Sequence, residues 1–379
     1  MSEVSIAQRP APAPARGGSG RLDWIDRLRV ALTLLVIAHH SAATYASIPV
    51  WYVVLGGKDP SSDLLSGFLV LNQLWFMGAF FLLSGVFTPA SADRKGTGRF
   101  VRDRLVRLGI PLLAYVVVIR PLAMVPAGIS EMRDHRAHGK PFSLAWYLLV
   151  SGDPGVTWFL EVLIVFCLGY AVLRLVRRPR TEVRASRPPL WGLGLVTVGL
   201  AVAMFFWVMW VPLGTYWPVV GLPSPTFLPQ YVAMFALGIV AARRAWLTTM
   251  PGWWAAPAAG AVVVGGAGFA ATIAGSGPVT GVVSALGSAL FAVGATVLAV
   301  LLFRTRAHRV AGRFGRFVAQ QAFTVYVVHP IVLVAVAVAL IGVGGPAVLR
   351  ALLLFAVAVP LCWLVAWALR RIPAVRRIM

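Results

Sequence analysis

The chain is poor in the residues on which soluble and disulfide-bonded proteins depend. It has two cysteines in 379 residues, Cys167 and Cys362, and both fall inside apolar runs. That excludes a disulfide framework and a cysteine metal site, and leaves both as small buried apolar side chains. Only 12% of residues are charged, and acids number 12 against 34 Lys and Arg. Its six histidines are scattered without dense acidic partners, so they form no recognisable metal site. A Gly-x4-Gly-Lys-Ser/Thr phosphate loop is missing. Nothing longer than a loop reads as a soluble domain, and there is no convincing internal repeat.

What is abundant is apolar. Hydrophobic residues make up 59% of the chain and the mean hydropathy is +0.83. They come in runs of about 17 to 24 residues, the length that crosses a bilayer as a helix, without the short alternating segments of a membrane β-barrel. The expected fold is an all-α polytopic bundle of about ten transmembrane helices. The spans fall at 29–48, 66–87, 108–127, 156–175, 190–211, 226–242, 253–273, 282–303, 319–342 and 348–369. Glycine-rich stretches such as "GAVVVGGAGFAATIAG" (260–275) predict close helix packing.

The formal charge of +22 would suggest nucleic acid in a soluble protein, but its distribution points elsewhere. With the N-terminus inside, cytoplasmic segments hold 28 of the 34 Lys and Arg. This matches the positive-inside rule and predicts both termini in the cytoplasm, in a plasma (inner) membrane, with no nucleic-acid partner. The basic clusters at 174–187 and 304–316 read as topology alone. The N-terminal 1–21, rich in Pro, Ala, Gly and Ser, is expected to be a disordered tail. No cleaved signal peptide is apparent, so the first span is the expected insertion signal. Residues 22–372 form the expected transmembrane domain and 373–379 a basic tail. Abundant Ala, Gly and Arg with three Lys point to a GC-rich bacterial genome.

The first span, "RVALTLLVIAHHSAATYA", places His39 and His40 near the bilayer midplane. Ionisable residues at that depth are functional by default, because burying them is costly. At 100° per residue, Arg29 and His40 share one stripe of the helix, separated by about 16 Å of rise. This predicts one cavity with His40 deep inside and Arg29 at its mouth, facing an anionic ligand. His39 points away and is expected to pack or support a neighbour. His329, in "TVYVVHPIVL", lies at a similar depth. Pro330 cannot donate to the Tyr326 carbonyl and should kink the helix. His40, His329 and Tyr326 are thus expected in one pocket, where His329 has a structural or a catalytic role. Glu161 has two readings: an ion pair with Arg120, or a group that orients an acceptor hydroxyl or tunes the histidine. The 128–155 segment is an expected outer loop, either solvated or a cap.

These residues carry a family resemblance. "DWIDRLRVALTLLVIAHHS" resembles the first segment of the acyltransferase-3 family, with Arg29 and His40 on its Arg-x10-His motif. "WFMGAFFLLSGVF", "RFVRDRLVRLGIPLL", "VTWFLEVLIVF" and "FTVYVVHPIVLV" resemble later segments, the basic one in the form found in the branch of glucan succinyltransferases. The likeness covers nearly the whole chain after residue 21. It implies a ten-helix membrane enzyme transferring an acyl group, acetyl or succinyl, from acyl-coenzyme A to a hydroxyl of a carbohydrate or glycolipid, often outside the cytoplasm. Acyl-coenzyme A would be a donor substrate, with no resident cofactor and no metal.

His40 is then the expected general base. Arg29, with Arg104 and Arg107, would grip the coenzyme phosphates through charge-assisted hydrogen bonds. Asp26 matches the family's acid before the arginine, where it orients Arg29 or meets the helix N-terminus. Tyr326, His329 or a backbone amide would stabilise the oxyanion. Direct attack and an acyl-histidine route both fit. The rival class is a transporter, which ten spans, midplane histidines and a proline-interrupted helix would also suit.

Overall fold

The computed structural model describes residues 23–56, 59–150, 152–177, 182–217, 221–306 and 312–379. The expected tail 1–21 lies outside them, as do Lys58 and Arg178, Arg180 and Arg309 of the basic clusters. Among the described residues there is no strand, only an isolated bridge between Trp217 and Leu222. Helices satisfy their backbone polar groups internally, which lipid demands, and the chain is a polytopic all-α bundle.

In chain order the helices are α1 (Asp23–Tyr45), α2 (Ser61–Gln73), α3 (Phe76–Lys95), α4 (Thr97–Arg104), α5 (Ile110–Ala114), α6 (Arg120–Ala137), α7 (Leu144–Val150) and α8 (Trp158–Val176). They continue as α9 (Leu190–Trp210), α10 (Leu228–Arg244), α11 (Trp246–Thr249), α12 (Ala255–Ala270), α13 (Pro278–Arg306), α14 (Arg313–Ala339), α15 (Ala347–Leu369) and α16 (Pro373–Ile378). Nine helical stretches among the described residues are long and apolar enough to cross a membrane. The first expected span is not one of them. Its helix, α1, is long enough at 23 residues, but Arg29, His39 and His40 make it more polar than the rest.

Three expected elements differ in form. The second span is the stretch Ser61–Lys95, broken at Leu74 and Trp75. There the Gln230 amide donates to the Leu74 carbonyl at 2.7 Å, satisfying backbone that the break releases. The third belongs to a 41-residue stretch, Thr97–Ala137, with π-helical turns at Leu105–Gly109 and Tyr115–Ile119. At 1.5 Å per residue it is about 60 Å long, roughly twice the hydrocarbon thickness, so it projects beyond the membrane. The expected outer loop is consequently mostly helix, with α7 folded back on α6. Gly128 permits this: a Cβ there would lie 2.6 Å from Leu144 Cδ1.

Packing follows small residues, because lipid leaves helix association to close van der Waals fit. On α3 and α10, a Cβ at Gly85 would sit 2.2 Å from the Phe235 carbonyl oxygen, and one at Gly238 2.2 Å from that of Leu82. On α12 and α13, Gly265 and Gly287 meet in the same way, as the glycine-rich stretch predicts. The end of α1, Ser41 to Tyr45, is buried. Its Ala42 and Ala43 pack with Leu333 and Ala337 of α14 and Ala351, Leu354 and Ala358 of α15. This seam holds the α1 histidines beside α14. The expected basic tail forms α16, whose Ile378 lines an internal cavity described below.

Candidate active site

Two adjoining cavities inside the bundle hold most of the candidate residues. The first, of about 800 Å³, is lined by His39, His40, Trp51, Gln73, Arg120 and Asp153 among others. Its second neighbour, of about 340 Å³, is lined by Arg29, Arg104, Arg107, Cys167 and Met379 among others. Both have Met77 and Tyr326 in their walls. Arg29 and His40 therefore do not line one cavity, contrary to the expectation from their shared stripe; they line adjoining chambers. The helix period puts them in line, and Met77 of α3 and Tyr326 of α14 border both chambers.

In the first chamber, His40 Nδ1 lies 3.0 Å from His329 Nε2, and the hydrogen positions follow from chemistry. Pro330 has no N–H for the Tyr326 carbonyl four residues back. His329 Nδ1 lies 2.7 Å from that oxygen. A carbonyl only accepts, so His329 Nδ1 carries a proton and donates. Neutral His329 is then an acceptor at Nε2, and His40 donates to it from Nδ1. The lone pair of His40 is left on Nε2, and the residue lines the chamber. Trp51 stacks on the His40 ring, centroids 4.2 Å apart and planes at 20°. The imidazole is thereby held in position, tautomer and tilt. His329 itself is 0% exposed and lines neither chamber. Its contact is with His40.

Tyr326 is in the wall, but its hydroxyl donates to the Val156 carbonyl at 2.5 Å. His39 is half-buried, with Nδ1 3.1 Å from Asn72 Nδ2 and its ring stacked on Phe76.

Farther along the first chamber, Arg120 pairs with Asp153 at 2.6 Å, not with Glu161 as one expectation had it. The same carboxylate accepts from Tyr216 Oη at 2.7 Å and from the Gly155 N–H at 2.6 Å. Burial first, then the bond to Asp153, pushes the Tyr216 phenol up to about 12, so it stays a donor at neutral pH. Tyr52, under the Arg120 guanidinium, shares a hydrogen bond of 2.6 Å with Tyr115 on the second π-helical turn. Gln73 donates to Ser224 and Tyr231 at 2.9 and 3.0 Å. This end is aromatic and densely hydrogen-bonded, chemistry suited to a polyhydroxylated ligand.

The second chamber has three arginines in its lining. Arg104 and Arg107 lie one turn apart beside Arg29. Asp26 pairs with Arg29 at 3.3 Å and lies in the first turn of α1, in keeping with either of its two expected places, and Asp103 pairs with Arg107 at 3.2 Å. Arg104 lies over the Phe100 ring, its Nε buried and without a hydrogen-bond partner among the described residues. Phe159, Leu160 and Leu163 make the rest of the wall apolar. An anion at one end and a chain at the other would fit such a chamber.

Of the sequence-derived candidates, His40, Tyr326, Arg29, Arg104 and Arg107 reach a chamber. His329 and Asp26 stand behind them. Glu161, in the first turn of α8, lines neither chamber and has no hydrogen bond or ion pair among the described residues. Sequence reasoning missed Asp153, Trp51, Asn72 and Gln73. The one available signal was "SGDPG" before the fourth span, where a lone acid sits in a turn beside an apolar run.

A family model described as an acyltransferase domain matches residues 22–367. No protein of curated function and no solved structure matches the chain.

Proposed function

The chain belongs to this acyltransferase family and is a multi-pass membrane enzyme; on that premise we propose that it moves an acyl group, acetyl or succinyl, from acyl-coenzyme A to a hydroxyl of a carbohydrate or glycolipid acceptor. The observation that carries this reading is the pair of adjoining chambers. The second is cationic and apolar, as the donor requires; the first is polar and aromatic, as the acceptor requires; and His40 lines the first, next to the residues that border both.

In this reading Arg29, Arg104 and Arg107 hold the coenzyme phosphates, and the thioester arm passes Met77 and Tyr326. The acceptor hydroxyl binds in the first chamber. His40 Nε2 takes its proton as the oxygen attacks the thioester carbonyl carbon. The new C–O bond forms, the C–S bond breaks, and the imidazolium returns the proton to the leaving thiolate. Ester and free coenzyme A result. Such general-base assistance is worth about 10²–10⁴-fold. The bias of Lys and Arg supports a plasma (inner) membrane location with both termini cytoplasmic, which puts the second chamber on the side where acyl-coenzyme A is found. Transfer then delivers the acyl group toward the outer face.

The test is transfer of labelled acetyl or succinyl from its coenzyme A thioester in membrane vesicles, with extraction of modified glycans and lipids. His40→Ala should abolish transfer while the protein still inserts and binds donor. Substantial remaining activity refutes the base. Label recovered on the protein after an acid quench would refute direct attack in favour of an acyl-enzyme.

A further inference from the structure

Acyl transfer builds negative charge on the thioester carbonyl oxygen, and catalysis needs a donor waiting where that charge develops. The groups expected to supply it are committed elsewhere. Tyr326 Oη donates to Val156, and His329 Nδ1–H to Tyr326. The Gln73 amide donates to Ser224 and Tyr231. Trp51 Nε1 has no hydrogen-bond partner among the described residues, but it is buried and out of reach of a ligand.

We propose that His39 is the oxyanion donor, a second catalytic imidazole beside the base. Asn72 Nδ2 reaches His39 Nδ1 at 3.1 Å. An amide NH₂ only donates, so Nδ1 accepts and the ring proton of neutral His39 resides on Nε2. Among the described residues that nitrogen makes no hydrogen bond, and His39 lines the same chamber as His40. The two rings are edge-on, with centroids 5.3 Å apart. Successive residues of a helix diverge by 100°, so the lone pair of His40 and the N–H of His39 approach from different directions. A tetrahedral intermediate needs this, since its attacking oxygen and its oxyanion share one carbon but point apart.

Asn72 is the positioning residue. It is buried, and its other amide atom, Oδ1, has no hydrogen-bond partner. Among the described residues its side chain thus makes one hydrogen bond, the one to His39, at the expense of an unsatisfied carbonyl. The two neighbouring histidines hold opposite tautomers: His40 Nδ1–H, set by His329, and His39 Nε2–H, set by Asn72. One is a base and the other a donor.

The inference rests on the proposed acyl transfer, and its test separates the two. Purified full-length protein is assayed with acyl-coenzyme A and extracted acceptor. His39→Leu removes the donor and should lower kcat about 10²–10³-fold, with KM for acyl-coenzyme A within about twofold of wild type. His39→Gln keeps an N–H and should recover most of that loss while leaving the pH profile of kcat in place, because His40 sets it. Asn72→Asp replaces a donor to Nδ1 with an acceptor, turns the His39 tautomer round and should match His39→Leu.

The donor assignment is overturned if His39→Leu keeps kcat within about threefold, if Gln is no better than Leu, or if Asn72→Asp is fully active. Should the Leu variant unfold, the Gln variant decides: loss of the ionisation limb from its profile makes His39 a titrating base and overturns the proposal. His40→Ala, run in parallel, tells the failures apart. If it stays active, the underlying reading falls; if it is dead while His39→Leu is active, only the oxyanion assignment falls.

Discussion

His329 offers a perturbation whose two consequences can be separated. In the structure it does two jobs through two nitrogens: Nδ1–H satisfies the Tyr326 carbonyl at 2.7 Å, and Nε2 holds His40 at 3.0 Å. His329→Leu removes both. The buried carbonyl is left without a donor, a cost of about 1–3 kcal/mol. His40 loses its tautomer and tilt, and kcat should fall toward the level without a base, about 10²–10⁴-fold. Pro330→Ala restores a backbone N–H to the same carbonyl by ordinary i to i−4 bonding. The double variant His329→Leu/Pro330→Ala should therefore regain most of the lost stability and none of the lost activity. Thermal unfolding in detergent reads the first and acyl transfer at saturating donor reads the second. If the double variant also regains turnover, His329 supports the helix and does not orient the base, and the mechanism above fails. If the single variant is as active as wild type, the histidine pair has no role at all.

Arg104→Ala and Arg107→Ala should each raise KM for acyl-coenzyme A about 10- to 100-fold, corresponding to 1.5–3 kcal/mol for a hydrogen bond to a charged group, with little change in kcat; an unaltered KM would remove the phosphate-binding role. Gly238→Val drives a Cβ against the Leu82 carbonyl, placed 2.2 Å from where it would sit. Overpacking of this kind costs typically about 1–3 kcal/mol, and circular-dichroism melting should show it. Asp59, outside the spans, accepts from the N–H groups of Ser61 and Ala347 and is held below the usual carboxylate range, chiefly by Ser61. A depressed folded-state value stabilises above the unfolded carboxylate range and is lost as pH falls through the folded one. The melting difference between wild type and Asp59→Ala should be present at neutral pH and shrink on acidification; a gap independent of pH would contradict this.

Much of the architecture was legible because lipid restricts it. In hydrocarbon a spanning segment must satisfy its own backbone, so long apolar runs read directly as helices. The stripe of Arg29 and His40 followed from the helix period alone, and the freed Tyr326 carbonyl from Pro330 alone. Close packing around Gly265 was visible in composition, since only small residues let backbones approach. The break at Leu74 and Trp75 was hidden, because apolar residues run straight through it, and its carbonyl is satisfied by Gln230 from a distant helix.

Which groups meet was decided only in three dimensions. Depth along a helix placed Arg120 and Glu161 at similar levels, yet the acid that reaches Arg120 comes from a turn. His40 and His329, 289 residues apart, touch because the small residues of α1, α14 and α15 bring those helices together. Periodicity reports which face of a helix a residue occupies; it says nothing about what packs against that face. So one stripe on α1 serves two adjoining chambers, both bordered by Met77 and Tyr326 from other helices. The tautomers of the two adjacent histidines are set in the same way, by partners that the local sequence does not contain.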